Sequence, residues 1–171
     1  MSFWTQKESE PKRNFRFKIT GDKLANTSDP VWWWAKSIDK PSYDVSSNEY
    51  QLINHKFKYP GIVTWKNISV TMVDFGASHG TNLNESLEKD LTAIGYTRPD
   101  KDAMTGIGKT SDTVVSNLVI EHLDANGKPL DKWTLMGAFI VSVSYSKLDY
   151  SSDELSEVTL EIAYDYANYG N

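Results

Sequence analysis

A chain of 171 residues with 18 Lys and Arg, 23 Asp and Glu, three His and no Cys is long enough for one domain with a buried core, and its length gives little support for two. Its formal charge of −5 denies it the basic excess with which nucleic-acid binders displace counterions, and the lack of cysteine excludes a disulfide framework, a thiolate zinc site and a thiol nucleophile. The first ten residues lack the layout of a signal peptide and no apolar run approaches the ~20 residues of a membrane span, so the expectation is a soluble protein made where it is used. The sequons at Asn26, Asn67 and Asn84 then read as chance.

Residues 1–14 form a polar N-terminal arm with Phe3 and Trp4 as isolated anchors, and Phe15-Arg16-Phe17-Lys18-Ile19 alternates as a first strand should. After a turn-rich piece, Val31 to Ile38 predicts a second strand. Its adjacent Trp32, Trp33 and Trp34 must point to both faces, so one face is core and the other an apolar patch of the kind that marks an interface. Residues 39–59 mix turn formers with Tyr43, Tyr50, Phe57 and Tyr59 in no sustained period. They read as a long loop, which is uncommon in a compact domain unless it has a function.

Pro60 to Phe75 reads as one long strand whose apolar parity changes: Val63 and Trp65 are odd, whereas Ile68, Val70 and Met72 are even. A phase switch near Lys66 and Asn67 implies a bulge or a crossing from one sheet to another, and hence a small sandwich or barrel. Beyond Gly76 to Gly80, Leu83, Leu87, Leu91 and Ile94 fall at helical spacing between a capping Asn82 or Asn84 and Gly95, predicting an amphipathic helix over 82–95 that lies on a sheet. A loop over 96–109 and a helical turn capped by Thr110 or Ser111 follow. Leu118 to Leu123, the turn at Asp124-Ala125-Asn126-Gly127 and a strand from Trp133 make a hairpin. In that second strand the odd residues Leu135 to Tyr145 face the core and Ser142, Ser144 and Ser146 face out. The closing strand turns Val158, Leu160, Ile162, Tyr164 and Tyr166 inward and Glu157, Thr159, Glu161 and Asp165 outward.

Catalytic signals are weak. Ala103 to Thr110 ends in Gly108-Lys109-Thr110 like a phosphate-binding loop, but Arg98 to Asp102 is no buried strand and no long helix follows. His55, His79 and His122 lack paired-ligand spacing, no nucleophile elbow is present, and the acidic run of Asp149, Asp153, Glu154 and Glu157 lacks a calcium-loop pattern. No catalytic, cofactor or metal residue is expected. A carbohydrate-binding module with Trp32 to Trp34 as its stacking platform stays open as an alternative.

Several segments in order carry a family resemblance: Trp34-Ala35-Lys36-Ser37, Lys40-Pro41, Asn54-His55, Tyr59-Pro60-Gly61 and Val70 to Asp74 in the first half, then Ile120 to Gly127, Trp133-Thr134-Leu135 and Leu148-Asp149-Tyr150-Ser151-Ser152-Asp153-Glu154-Leu155. Together they resemble the tail tube proteins of contractile-tailed, T4-like bacteriophages, which are related to the tubes of secretion and injection systems. The resemblance implies a mainly β single domain over 1–171, a β-sandwich or partly closed barrel with one flanking helix, whose inner-sheet strands complete a ring-wide β-barrel. It implies homo-hexameric rings stacked into the tail tube of a virion, assembled in the host cytoplasm, as a conduit for DNA that passes without specific binding. A cap or initiator ring near baseplate or neck, or an injection-system tube, is the near alternative. Tail sheath, baseplate and tail terminator proteins are the expected partners. On this resemblance Tyr43, Tyr50 and Phe57 in the 39–59 loop are inter-ring contacts, Trp32, Trp33 and Trp34 are interface aromatics, and Ser142, Ser144, Ser146, Glu157, Glu161 and Asp165 face the lumen.

Overall fold

The longest strand, β7 (Pro129–Tyr145), organises the molecule because it changes partners halfway along. The computed structural model describes residues 12–21, 32–74, 82–96, 98 and 116–170. Gly137 sits in β7 at φ 69°, a left-handed conformation that glycine adopts without a Cβ clash and that lets a strand bend. Before that bend β7 lies between β6 (Ser116–Leu123) and β9 (Tyr166–Gly170); beyond it, from Phe139, it pairs with β8 (Glu157–Ala163). β8 and β9 are successive parts of one stretch that returns along the same edge of β7, turning where the Asp165 N–H donates to the Met136 carbonyl at 3.0 Å.

The antiparallel sheet runs β1 (Phe17–Gly21), β6, β7, β8, β5 (Ile68–Val73), β2 (Ala35–Ile38), with β9 beside β7. Bent at β7, it forms two halves that share one core. Ile19, Leu118, Ile120 and Leu135 come from the first half, and Ile68, Val70, Met72, Val158, Leu160 and Ile162 from the second. Strict alternation in β5 and β8 puts every second residue inside. The chain is thus mainly β with one helix, and the sheet does not close on itself among the described residues. Helix α1 (Leu83–Ala93) buries Leu83 and Leu87, leaves Leu91 exposed, and ends at Gly95 with φ 100°. Asn82 is its cap by position, through its backbone carbonyl alone.

Several expectations are corrected. The Pro60 to Phe75 strand is two strands, β4 (His55–Trp65) and β5, in different sheets, so the parity change at Lys66 and Asn67 is the crossing itself. The strand that serves both halves of the main sheet is β7. Residues 39–59 are no irregular loop: β3 (Tyr43–Leu52) and β4 pair along their length as a separate two-stranded ribbon. The first strand begins at Phe17, with Phe15 exposed, and the second only at Ala35. In β7 the even Ala138 is buried and the odd Val141 exposed, because Gly137 and a bulge between Ile140 and Ser142 shift the phase; past the bulge Tyr145 is back on the side of the buried Val158 and is exposed only because it ends the strand. Tyr166 is exposed on the far side of the β8 to β9 bend. His79, the 110–115 turn and Gly108-Lys109-Thr110 lie outside the described residues.

Candidate assembly surfaces

The half-sheet β7, β8, β5, β2 has a polar outer face built by register. Ser142 stands opposite Glu161, Ser144 opposite Thr159, and on the other side of β8 Ser69, Thr71 and Val73 oppose Glu161, Thr159 and Glu157. Directly opposed residues point to the same side of a sheet, so four of the six sequence-selected polar residues, Ser142, Ser144, Glu157 and Glu161, share this face. Ser146 lies at its end, where its hydroxyl accepts the Glu157 N–H at 3.0 Å. Asp165 does not belong to the row: it is exposed at the β8 to β9 bend. Lys36 pairs with Glu157, and this hydrogen bond raises the lysine pKa. Glu161 accepts from Asn67 at 2.9 Å. The outer face of the other half-sheet differs, since Lys18, Glu121 and Lys132 are in register there.

This half-sheet has two unpaired borders among the described residues. Among the described residues β2 has β5 on one side only, and β7 from Ile140 to Tyr145 has β8 on one side only. Directions alternate across β7, β8, β5 and β2, so the two border strands run opposite ways. Ile140, Val141, Ser142, Val143 and Tyr145 on the β7 border also line a groove of about 450 Å³ with Leu87 and Leu91 of α1 and its C-cap Ile94.

The β3–β4 ribbon is exposed along nearly its whole length, and its two faces differ. Leu52 with His55, Tyr50 with Phe57, and Asn48 with Tyr59 make an aromatic side; Gln51 with Lys56 and Glu49 with Lys58 make a charged one. Glu49 reaches Lys56 at 3.3 Å and Lys58 at 3.7 Å. Tyr50 and Phe57 are thus brought together, while Tyr43 sits at the root, its ring 5.1 Å from that of Trp65, which in turn lies 5.9 Å from Tyr164. A lone two-stranded ribbon is marginal in water, and an exposed aromatic face argues for a surface that covers it.

The tryptophans divide. Trp32 is 4% exposed and belongs to the core, correcting its assignment as an interface residue, whereas Trp33 is 72% and Trp34 42% exposed. Trp32 is sunk because its N–H bonds the Ile19 carbonyl at 3.0 Å, which seats the ring on Gly21.

Sequence reasoning missed a buried polar cluster. Asp131, opposite His122 in the register, accepts a 2.6 Å hydrogen bond from the Tyr169 hydroxyl and pairs with Lys12, while His122 Nε2 lies 2.7 Å from the Arg13 carbonyl. Lys12 and then Tyr169 hold the Asp131 pKa below the usual carboxylate range. The cluster ties residues 12 and 13 to β6, β7 and β9. Alternation at 118–123 foretold the strand, but nothing local foretold a partner more than a hundred residues away. Also missed were Ile53 at the ribbon tip and the exposed Leu148, Tyr150 and Leu155 between β7 and β8.

The family profile described as T4-like virus tail tube protein gp19 matches residues 13–168. Among solved structures, the chain is similar to the PVC sheath/tube terminator of an extracellular contractile injection system in the extended state, with TM-score 0.70 and 16% identity over 96% of this chain and 99% of that one. It is similar to the tube-terminating cap of the anti-feeding prophage, with TM-score 0.70 and 18% identity over 95% and 92%. The PVC sheath-tube complex in the extended state gives TM-score 0.67 and 16% identity over 99% and 98%. At these identities the likeness is one of fold. No curated protein matches the sequence.

Proposed function

The chain belongs to the T4-like virus tail tube protein gp19 family, and from that premise we propose that it forms the inner tube of a contractile tail, as stacked hexameric rings through which DNA leaves the virion. Family membership makes it a structural component of a virion or injection system and not an enzyme. The observation that carries the finer reading is the half-sheet whose two borders, of opposite direction, have no strand partner among the described residues.

Copies related by rotation keep the same strand directions, so β2 of one copy meets the second half of β7 of the next antiparallel. Each junction satisfies backbone groups that would otherwise be sticky edges. Repeated around a ring, these junctions consume every border. The face turned to the bore is the one with Ser142, Ser144, Glu157 and Glu161: hydroxyls offer no strong hold on phosphate, and the carboxylates outnumber the single Lys36 paired among them. A polyanion is repelled from such a wall, which favours passage over binding. The other half-sheet, with two lysines to one glutamate in register, is the less suitable lining.

Stacking falls to the β3–β4 ribbon, with Tyr50 and Phe57 as contacts to the adjacent ring and Tyr43 as its anchor. The cap or initiator reading is the weaker one, because a terminal ring needs only one sticky end. Here the ribbon is rooted beside Ile68 and Ile162, and the exposed Leu148, Tyr150 and Leu155 lie beyond Val73 and Glu157 at the opposite end of the same strands. Sheath, baseplate and terminator partners and assembly in the host cytoplasm follow from the same reading. Negative-stain microscopy of the purified chain at high concentration tests it: rings and stacked rings are expected, and a lasting monomer even with an assembly nucleus supplied would overturn it.

A further inference from the structure

The tip of the ribbon adopts a conformation that its residue disfavours. Ile53 and Asn54 turn β3 into β4, and Ile53 has φ 49°. Two-residue hairpin turns with positive φ suit glycine, asparagine or aspartate, whereas a β-branched side chain there crowds its own backbone. Ile53 is 84% exposed, so no packing against the described residues accounts for it. An apolar residue held out on a strained, exposed turn points to a contact made outside the subunit.

The opposite end of the half-sheet offers a matching surface. The connection between β7 and β8 borders an open concavity of about 460 Å³ lined by Leu148, Tyr150, Leu155, Asp149 and Glu154. Local hydrogen bonds shape it in advance: the Asp149 carboxylate accepts the Ser151 N–H at 3.0 Å and its hydroxyl at 2.7 Å, and the Ser152 hydroxyl accepts the Glu154 N–H at 3.3 Å. Charges complement as well. Near the tip Lys56 and Lys58 share the single carboxylate of Glu49, leaving one positive charge over. In the connection Lys147 lies 3.4 Å from Asp149, and Asp153 and Glu154 add two more carboxylates, of which Glu154 feels Lys36. Because the root of the ribbon and the connection lie at opposite ends of the same strands and the ribbon beyond its root pairs only with itself among the described residues, copies stacked in one orientation can bring the tip of each to the connection of the next.

We propose that Ile53 of one copy seats in the Leu148–Tyr150–Leu155 concavity of a copy in the adjacent ring, with Lys56 and Lys58 beside the partner copy's acidic connection. The contact rests on the stacked-tube reading and supplies the plug and socket that fix the direction of stacking. The natural chain has no cysteine, so Ile53→Cys combined with Leu155→Cys has no background. Oxidised tubes of that double variant run as a covalent ladder on a non-reducing gel, and neither single variant does. Normal tubes without a ladder overturn the contact and leave the tube reading standing. Ile53→Asn provides the second arm, since asparagine suits the turn and the subunit stays folded. Rings are expected to persist while the concentration needed for stacking rises about tenfold, equivalent to about 1.4 kcal/mol; stacking at the parent concentration overturns the proposal. If the unsubstituted chain forms no stack at all, the tube reading falls and this contact falls with it.

Discussion

Single side chains decide which aromatic residues are structure and which are surface. A Cβ on Gly21 would lie 2.9 Å from Trp32 Cζ2 and Nε1, so the absence of a side chain at 21 is what admits the indole to the core. Gly21→Ala should lower stability by about 1–3 kcal/mol through overpacking, measured as a drop in the urea midpoint; an unchanged midpoint would show that the ring moves aside freely. Three adjacent tryptophans identified an aromatic site in the sequence, but not that the chain turns between Trp32 and the strand, which is why one ring goes in and two stay out. Asp131 gives a test with a pH signature. Its folded pKa is depressed by Lys12 and Tyr169, so its contribution is fully present above the unfolded value of about 3.9 and is lost as pH falls through the lower folded value. Asp131→Asn should therefore cost about 1.5–3 kcal/mol at neutral pH, and the gap to the parent chain should close below about pH 4. A gap that is constant from pH 7 to pH 3 would contradict the ion-pair account.

At the scale of elements, legibility followed burial. Strands β5 and β8 bury every second residue and were readable as strands, as was the parity change between Trp65 and Ile68. Helix α1 was readable from its leucine spacing, although Leu91 faces the open groove instead of the core. The β3–β4 ribbon was not readable, because almost every residue in it is exposed and one subunit imposes no inside–outside period on it. The Gly137 bend was hidden for another reason: Leu135, Phe139, Val141 and Val143 keep an apolar odd parity straight through it. The root of the ribbon packs on the body through Trp65 and Tyr164, but its outer part pairs only with itself among the described residues, so removing that part should barely affect the body. Replacing residues 46–62 by Asn-Gly, which joins the opposed Val45 and Val63 by a two-residue turn, should leave the thermal midpoint within a few degrees and preserve rings. Stacks should disappear from micrographs. Normal tubes from this variant would remove the ribbon from the assembly.

For the whole molecule, the register explains what the sequence pattern could only suggest. Period-two reading separated the polar from the apolar residues of β8, and the structure adds that Ser142 and Ser144 align with Glu161 and Thr159 on one continuous face. Tyr166 was misread as inward because the parity rule was carried past the bend at Asp165. Which borders remain unpaired was beyond the sequence, because it depends on which strands neighbour one another. The most direct measurement is a side-chain-resolution reconstruction of the assembled tube. It should show β2 of each copy hydrogen-bonded antiparallel to Ile140–Tyr145 of its neighbour, with Glu157 and Glu161 facing the bore. A ring in which these two borders face solvent, or a bore lined mainly by lysine and arginine, would contradict the account.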